Sequence, residues 1–235
     1  MLLSVGVALI YGDGDASGIL IATLVTAVVA ITSIYLNRQH RELDVKEGFA
    51  IVTFSWILMS VAGMLPYLFT GSIPDLTNAF FESASGFTTT GATILADVES
   101  LPHGVLFWRS FTHWIGGMGI VVLSIAILPF LGVGGMQLFK TEAPGPTTDK
   151  LTPRIRDTAS LLWGIYAGLT LLETLLLMFG GMDWFDAVTH SFATLATGGF
   201  STKNTSIAYF QSPYIEWVVI IFMYLAGINF TLHYN

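Results

Sequence analysis

The chain contains no cysteine. That excludes a disulfide framework, a thiolate zinc site and a cysteine nucleophile. Charge is scarce too: Asp, Glu, Lys and Arg make up 11% of the residues, against about 25% in a soluble domain. Lys and Arg number nine against 16 Asp and Glu, for a net charge of −7. With no basic run, a nucleic-acid surface is not expected. No His-Glu-x-x-His occurs, so the helical zinc-protease signature is missing. His103 and His113 lack the spacing of zinc ligands. Ser191 lies beside His190, and adjacent residues face different sides of a helix, so no serine nucleophile has a base in reach. The chain does not read as an enzyme.

What it has in quantity is apolar sequence. Hydrophobic residues make up 53% and the mean hydropathy is +0.70, which points to a membrane protein. At roughly 20 residues per span, the length allows about five or six crossings. Met1 to Tyr11 is apolar but too short to cross, and it ends at the turn Gly12-Asp13-Gly14-Asp15. It lacks the basic start of a signal peptide and reads as the end of a span whose start is absent. Expected spans are 16–36, 48–70, 104–131, 158–180 and 214–234. Pro66 sits where it can kink or end the second of these. Gly116-Gly117-Met118-Gly119 would let helices approach closely in the third.

Two shorter helices break the pattern, at about 75–87 and 183–195. Both are too short to span and suit re-entrant helices. Each runs into a Thr/Gly turn, Thr88-Thr89-Thr90-Gly91 and Ala196-Thr197-Gly198-Gly199. A shift of 108 superposes them: Asp75 on Asp183, Ala79 on Ala187, Ser83 on Ser191, Thr89 on Thr197 and Gly91 on Gly199. The unit of span, short helix, turn and span thus occurs twice, and transport sites tend to lie where such repeats meet. The expected organisation is 1–47 (extra helices and a loop), 48–131 (first repeat), 132–157 (linker) and 158–235 (second repeat).

Non-helical backbone at membrane depth survives only where protein buries it or water reaches it. A Thr/Gly turn there can replace an ion's water shell with backbone carbonyls. Glycine supplies the positive φ that aims a carbonyl at the axis. The C-terminal, negative end of each short helix favours a cation behind the turn. The competing reading is two Thr/Gly-rich turns with no ligand. Their matching positions after matching helices favour the filter.

Seven of the nine Lys and Arg residues fall in 37–47 and 132–157. The positive-inside rule makes those segments cytoplasmic, which places both turns outside with Asp75, Asp97, Glu99, Asp183 and Asp186. External acids concentrate cations at a pore mouth, or merely solvate loops. Glu82 and Arg109 are expected to pair behind the first turn and brace it, since ionisable groups at depth tend to pair. His190, at the position of Glu82 in the second repeat, is expected to make a helix-packing hydrogen bond. Glu173, inside a span, is either a functional group or a buried hydrogen-bonded acid. Asn229 could line an inner cavity or join helices.

Six segments carry a family resemblance: Thr88-Thr89-Thr90-Gly91-Ala92-Thr93, His113-Trp114-Ile115-Gly116-Gly117-Met118-Gly119-Ile120, Gly134-Gly135-Met136-Gln137, Pro144-Gly145-Pro146, Thr152-Pro153-Arg154 and His190-Ser191-Phe192-Ala193-Thr194. Over nearly its whole length the chain resembles the pore subunit of the Trk/Ktr potassium-uptake family. The resemblance implies an all-α integral membrane protein of the potassium-channel type, with K⁺ as the transported ion. It implies a filter made by Thr88, Thr89, Thr90, Gly91, Ala196, Thr197, Gly198 and Gly199, with Gly91 and Gly199 as the glycines common to the family's loops. It implies a bacterial or archaeal cytoplasmic membrane, a homodimer in the bilayer and a cytosolic nucleotide-binding, TrkA-like ring that gates from inside. The family carries four repeats in one chain, and two are present here. Either the sequence is the first half of a longer protein, or two chains complete one ring; its ending inside a span favours the first. Alternatives are a non-conducting assembly subunit and a sodium-dependent Ktr-type transporter, and coupling to H⁺ or Na⁺ stays open.

Overall fold

The computed structural model describes residues 1–36, 45–127 and 151–228. Its elements run α1 (Leu2–Tyr11), α2 (Ala16–Leu36), α3 (Val45–Gly63), α4 (Leu65–Phe69), α5 (Leu76–Phe87), α6 (His103–Ile127), α7 (Leu151–Phe179), α8 (Trp184–Leu195), a 3-10 turn (Ser206–Phe210) and α9 (Pro213–Gly227). Every described element is helical. Most of the basic segments 37–47 and 132–157, the far ends of two expected spans and Asn229 lie outside the described residues.

Three stretches among the described residues are long and apolar enough to cross a membrane: Ala16–Leu36, Ala50–Phe69 and Ala159–Phe179. They are apolar all round, and only 11%, 22% and 33% of each is buried by the rest of the chain. Water would penalise that much exposed apolar surface, whereas lipid does not. The second stretch is bent. α3 stops at Gly63 and α4 starts at Leu65. Pro66 has no N–H for the helix ladder, so the chain restarts around it.

The two short helices form as expected. Asp75 caps α5 by accepting from the Asn78 N–H at 2.9 Å, and Asp183 caps α8 by accepting from Asp186 N–H at 2.8 Å. A carboxylate there satisfies one of a helix's unpaired N–H groups and suits its positive end. Each helix is 12 residues long.

Two glycines of α6 seat these helices. A Cβ on Gly116 would run into the Phe87 carbonyl at the end of α5. One on Gly117 would lie 2.9 Å from Ala196 Cα, just past the end of α8. Adjacent small residues thus bring one span against the ends of both short helices. Around them lie the two largest cores among the described residues. One joins Ala8 and Ile19 of the N-terminal helices to Tyr67, Ala79, Phe87 and Trp108 of the first repeat. The other joins Met118 of α6 to Leu177, Leu195, Ile215 and Phe222 in the second.

Candidate ion-filter site

The backbone beyond α5 and α8 folds the same way twice. Thr89 (φ 54) and Gly91 (φ 74) take the left-handed region in the first loop; Thr197 (φ 55) and Gly199 (φ 91) take it in the second. Left-handed φ costs a β-branched threonine more than a glycine, so its recurrence at Thr89 and Thr197 reflects a demand of the loop. The supporting bonds also repeat. Thr90 N–H donates to Ser85 O at 3.0 Å and Gly198 N–H to Ala193 O at 2.9 Å. Thr88 and Ala196 donate back to Ala84 and Phe192 in the same register. The loop N–H groups are thus drawn toward the helix. Among the described residues, none donates to the carbonyls of Thr88, Thr89, Thr90, Gly91, Thr197, Gly198 or Gly199. The Ala196 carbonyl accepts only the neighbouring Thr197 hydroxyl, at 2.7 Å.

The two loops meet. A Cβ on Gly91 would collide with the Gly198 carbonyl oxygen. Gly91 is therefore required twice, for its φ and for the approach of the opposite loop. Gly198 is fixed from behind, because a Cβ there would overlap the His113 ring. That ring stacks on Phe200 with centroids 4.0 Å apart and planes 17° apart.

The expected pair of Glu82 and Arg109 forms, and it reaches further than the sequence suggests. Arg109 Nε donates to Glu82 Oε1 at 2.7 Å, with side chains 2% and 0% exposed. Glu82 also accepts from Thr93 Oγ at 2.8 Å and from Ile94 N–H at 3.0 Å. Arg109 then crosses to the second repeat. Its Nη1 donates to Ser201 O at 2.9 Å, and its guanidinium lies 3.5 Å from the centre of the Phe200 ring. Nothing in the local sequence around Arg109 signals this crossing.

The second repeat uses different atoms for the same job. His190 replaces Glu82 and Ser201 replaces Thr93; His190 Nε2 lies 2.9 Å from Ser201 Oγ. Its Nδ1 is 2.7 Å from the Asp186 carbonyl, which can only accept, so Nδ1 carries the hydrogen. His190 is thus a packing residue. Asp186, which the charge pattern puts among the acids of the outer side, is 3% exposed. It pairs with Lys203 at 3.2 Å and accepts from Thr202 Oγ at 2.6 Å. The reason is compensation: Lys203 follows the second loop closely enough to neutralise it.

Asp97 and Glu99 are engaged as well. Asp97 accepts from Asn204 Nδ2 at 2.8 Å, and that amide holds its carboxyl below the usual carboxylate range. Glu99 accepts from Asn204 N–H at 2.9 Å. The Gly12–Asp15 turn, which reads locally as punctuation, caps α6. Asp13 accepts from the His103 N–H at 2.8 Å and Asp15 from the Val105 N–H at 3.1 Å. The His103 backbone and ring hold the Asp13 carboxyl below its ordinary range, whereas burial pushes Asp15 up. Tyr11 stacks on His103 at 3.8 Å and meets Phe185 edge-on at 5.3 Å, tying α1 to both repeats.

A family model described as TrkH, cation transport protein, matches residues 17–235. The chain belongs to this family. It is 50% identical to the Trk system potassium uptake protein TrkH of Escherichia coli (strain K12), across 97% of this chain and 48% of that protein. It is 40% identical to the Trk system potassium uptake protein TrkG of the same strain, across 100% of this chain and 49% of that protein. The crystal structure of the potassium transporter TrkH from Vibrio parahaemolyticus matches with a TM-score of 0.87 at 40% identity, covering 99% of this chain and 47% of that one. The chain spans about half the length of the relatives it matches. Family, helices and fold together make it a multi-pass, all-α membrane protein.

Proposed function

We propose that this chain supplies two of the filter loops of a potassium-uptake pore. The observation that carries the reading is the pair of loops. They end equivalent short helices, repeat the same left-handed positions, leave every carbonyl but that of Ala196 unclaimed by the described residues and approach each other at Gly91 and Gly198. Carbonyls in that setting can replace water around a dehydrated cation without placing a formal charge in the membrane. Thr88, Thr89, Thr90, Gly91, Ala196, Thr197, Gly198 and Gly199 line this path. Glu82 and Arg109 brace it from behind without touching the ion.

Potassium is the cargo by kinship, since the relatives are named for potassium uptake. The relatives are about twice as long, and on this reading the remaining loops of the ring correspond to the part of them that this chain does not cover. The excess of Lys and Arg in 37–47 and 132–157 supports a cytoplasmic position for those segments, with the filter loops outside. Family resemblance adds a homodimer in the bilayer and a cytosolic nucleotide-binding, TrkA-like ring.

Flux measurements on the full natural chain in proteoliposomes test the reading. Uptake of K⁺ and Rb⁺ well above Na⁺ is expected. Equal K⁺ and Na⁺ fluxes would overturn it.

A further inference from the structure

Glu173 is a buried acid that the filter does not use. It lies in the spanning part of α7 and is 0% exposed. Neither carboxyl oxygen has a hydrogen-bond partner among the described residues. The described chain already covers it completely, so no further segment is needed to bury it.

Among the described residues, no cation pairs with it. α6 turns Trp114 and Met118 toward this core, and α9 turns Ile215, Val219 and Phe222, none of them titratable. The titratable groups of α8 are committed elsewhere, Asp186 to Lys203 and Thr202 and His190 to Ser201. On α7 itself, Tyr166 is within electrostatic reach, and its hydroxyl donates to Trp114 O at 3.2 Å. A polar side chain beside Glu173 is that of Thr194 on α8, and no hydrogen bond joins the two. Thr194 gives its own hydrogen to the His190 carbonyl at 2.9 Å, which leaves its oxygen free to accept.

An isolated charge in such a place is expensive, and a carboxyl avoids the cost by binding a proton. We propose that Glu173 is a proton-binding site, a neutral carboxylic acid that offers its O–H to Thr194 and so seats the last turn of α8 beneath the second filter loop. The link to selectivity rests on the filter reading above; the proton site does not. Thr194 lies just ahead of Ala196 and Thr197, so a shift of that turn moves the loop carbonyls. Glu173 is a positioning residue here, since it touches no ion.

Two measurements on the full natural chain in lipid test this. The first is infrared difference spectroscopy of the wild type against Glu173→Gln. A protonated-carboxyl stretch at neutral pH, missing in the variant, is expected; a carboxylate band in its place would overturn the proposal. The second compares K⁺ over Na⁺ selectivity across pH. Gln keeps a donor for Thr194, so Glu173→Gln should hold wild-type selectivity at neutral pH and lose the wild type's alkaline decline. Glu173→Ala should lower selectivity about fivefold, as for one lost hydrogen bond. Selectivity in Glu173→Gln as poor as in Glu173→Ala, or an alkaline decline that persists in it, would contradict the proposal. Should Glu173→Ala fail to fold, the infrared result still decides. The protonated band in a protein with no potassium selectivity would sink the filter reading and leave the proton site standing.

Discussion

Arg109 and Ser201 belong to different repeats, yet Arg109 Nη1 donates to the Ser201 carbonyl at 2.9 Å. The same guanidinium holds Glu82 at 2.7 Å. Because Glu82 binds the segment leaving the first loop at Thr93 and Ile94, one side chain on α6 ties together the exits of both loops. Removing one member of a buried pair strands the other's charge, at about 3–5 kcal/mol. Glu82→Leu and Arg109→Leu should each destabilise on that scale. The double variant should cost clearly less than their sum, as chemical unfolding in detergent would report. Additive losses would mean that the pair is not coupled.

Gly198 and His113 should behave as a lock. The space for a Cβ at position 198 is taken by the imidazole. Gly198→Ala should therefore displace the second loop and reduce potassium selectivity, and adding His113→Ala should restore part of it. A double variant no better than Gly198→Ala would place the damage elsewhere.

The helix caps make a plainer case. Asp75 and Asp183 each satisfy one N–H at the start of a short helix. Asp75→Ala and Asp183→Ala should each cost about 1 kcal/mol, seen as a lower thermal midpoint, while Asn at either site should retain most of it.

Asp13 gives a pH signature. Its folded pKa is depressed by the His103 backbone N–H and then the ring. Its contribution to stability is therefore present above the ordinary carboxylate pKa, and it is lost as pH falls through the lower folded value. Asp13→Asn should lower the thermal midpoint at neutral pH. The gap between the two proteins should close in acid. A gap that stays constant with pH would rule out the carboxylate as its source.

These predictions divide according to what the sequence made visible. The short helices were legible because their cause is local: an Asp cap, 12 residues of mixed apolar and polar character, too short to span, and a Thr/Gly ending. The repeat was legible because Thr89, Gly91, Thr197 and Gly199 serve one backbone shape, and a shape that needs positive φ limits its residues. The pairing of Glu82 with Arg109 was legible because charge at depth seeks a partner. Contacts between elements remote in sequence were not. Asp13 and Asp15 cap a helix that starts at His103, and no local pattern links a Gly-Asp-Gly-Asp turn to that distant N–H group. The pairing of Asp186 with Lys203 was hidden because Lys203 lies beyond a loop whose path the sequence does not give.

Gly91 bears the central claim, because it joins the left-handed φ of the first loop to its contact with the Gly198 carbonyl in the second. The most direct measurement is the K⁺ to Na⁺ flux ratio of the full natural chain with Gly91→Ala, in proteoliposomes and at unchanged folding. A carbonyl filter predicts that the ratio falls sharply, with Na⁺ flux rising relative to K⁺. A ratio equal to that of the wild type would contradict the assignment of these loops as the filter.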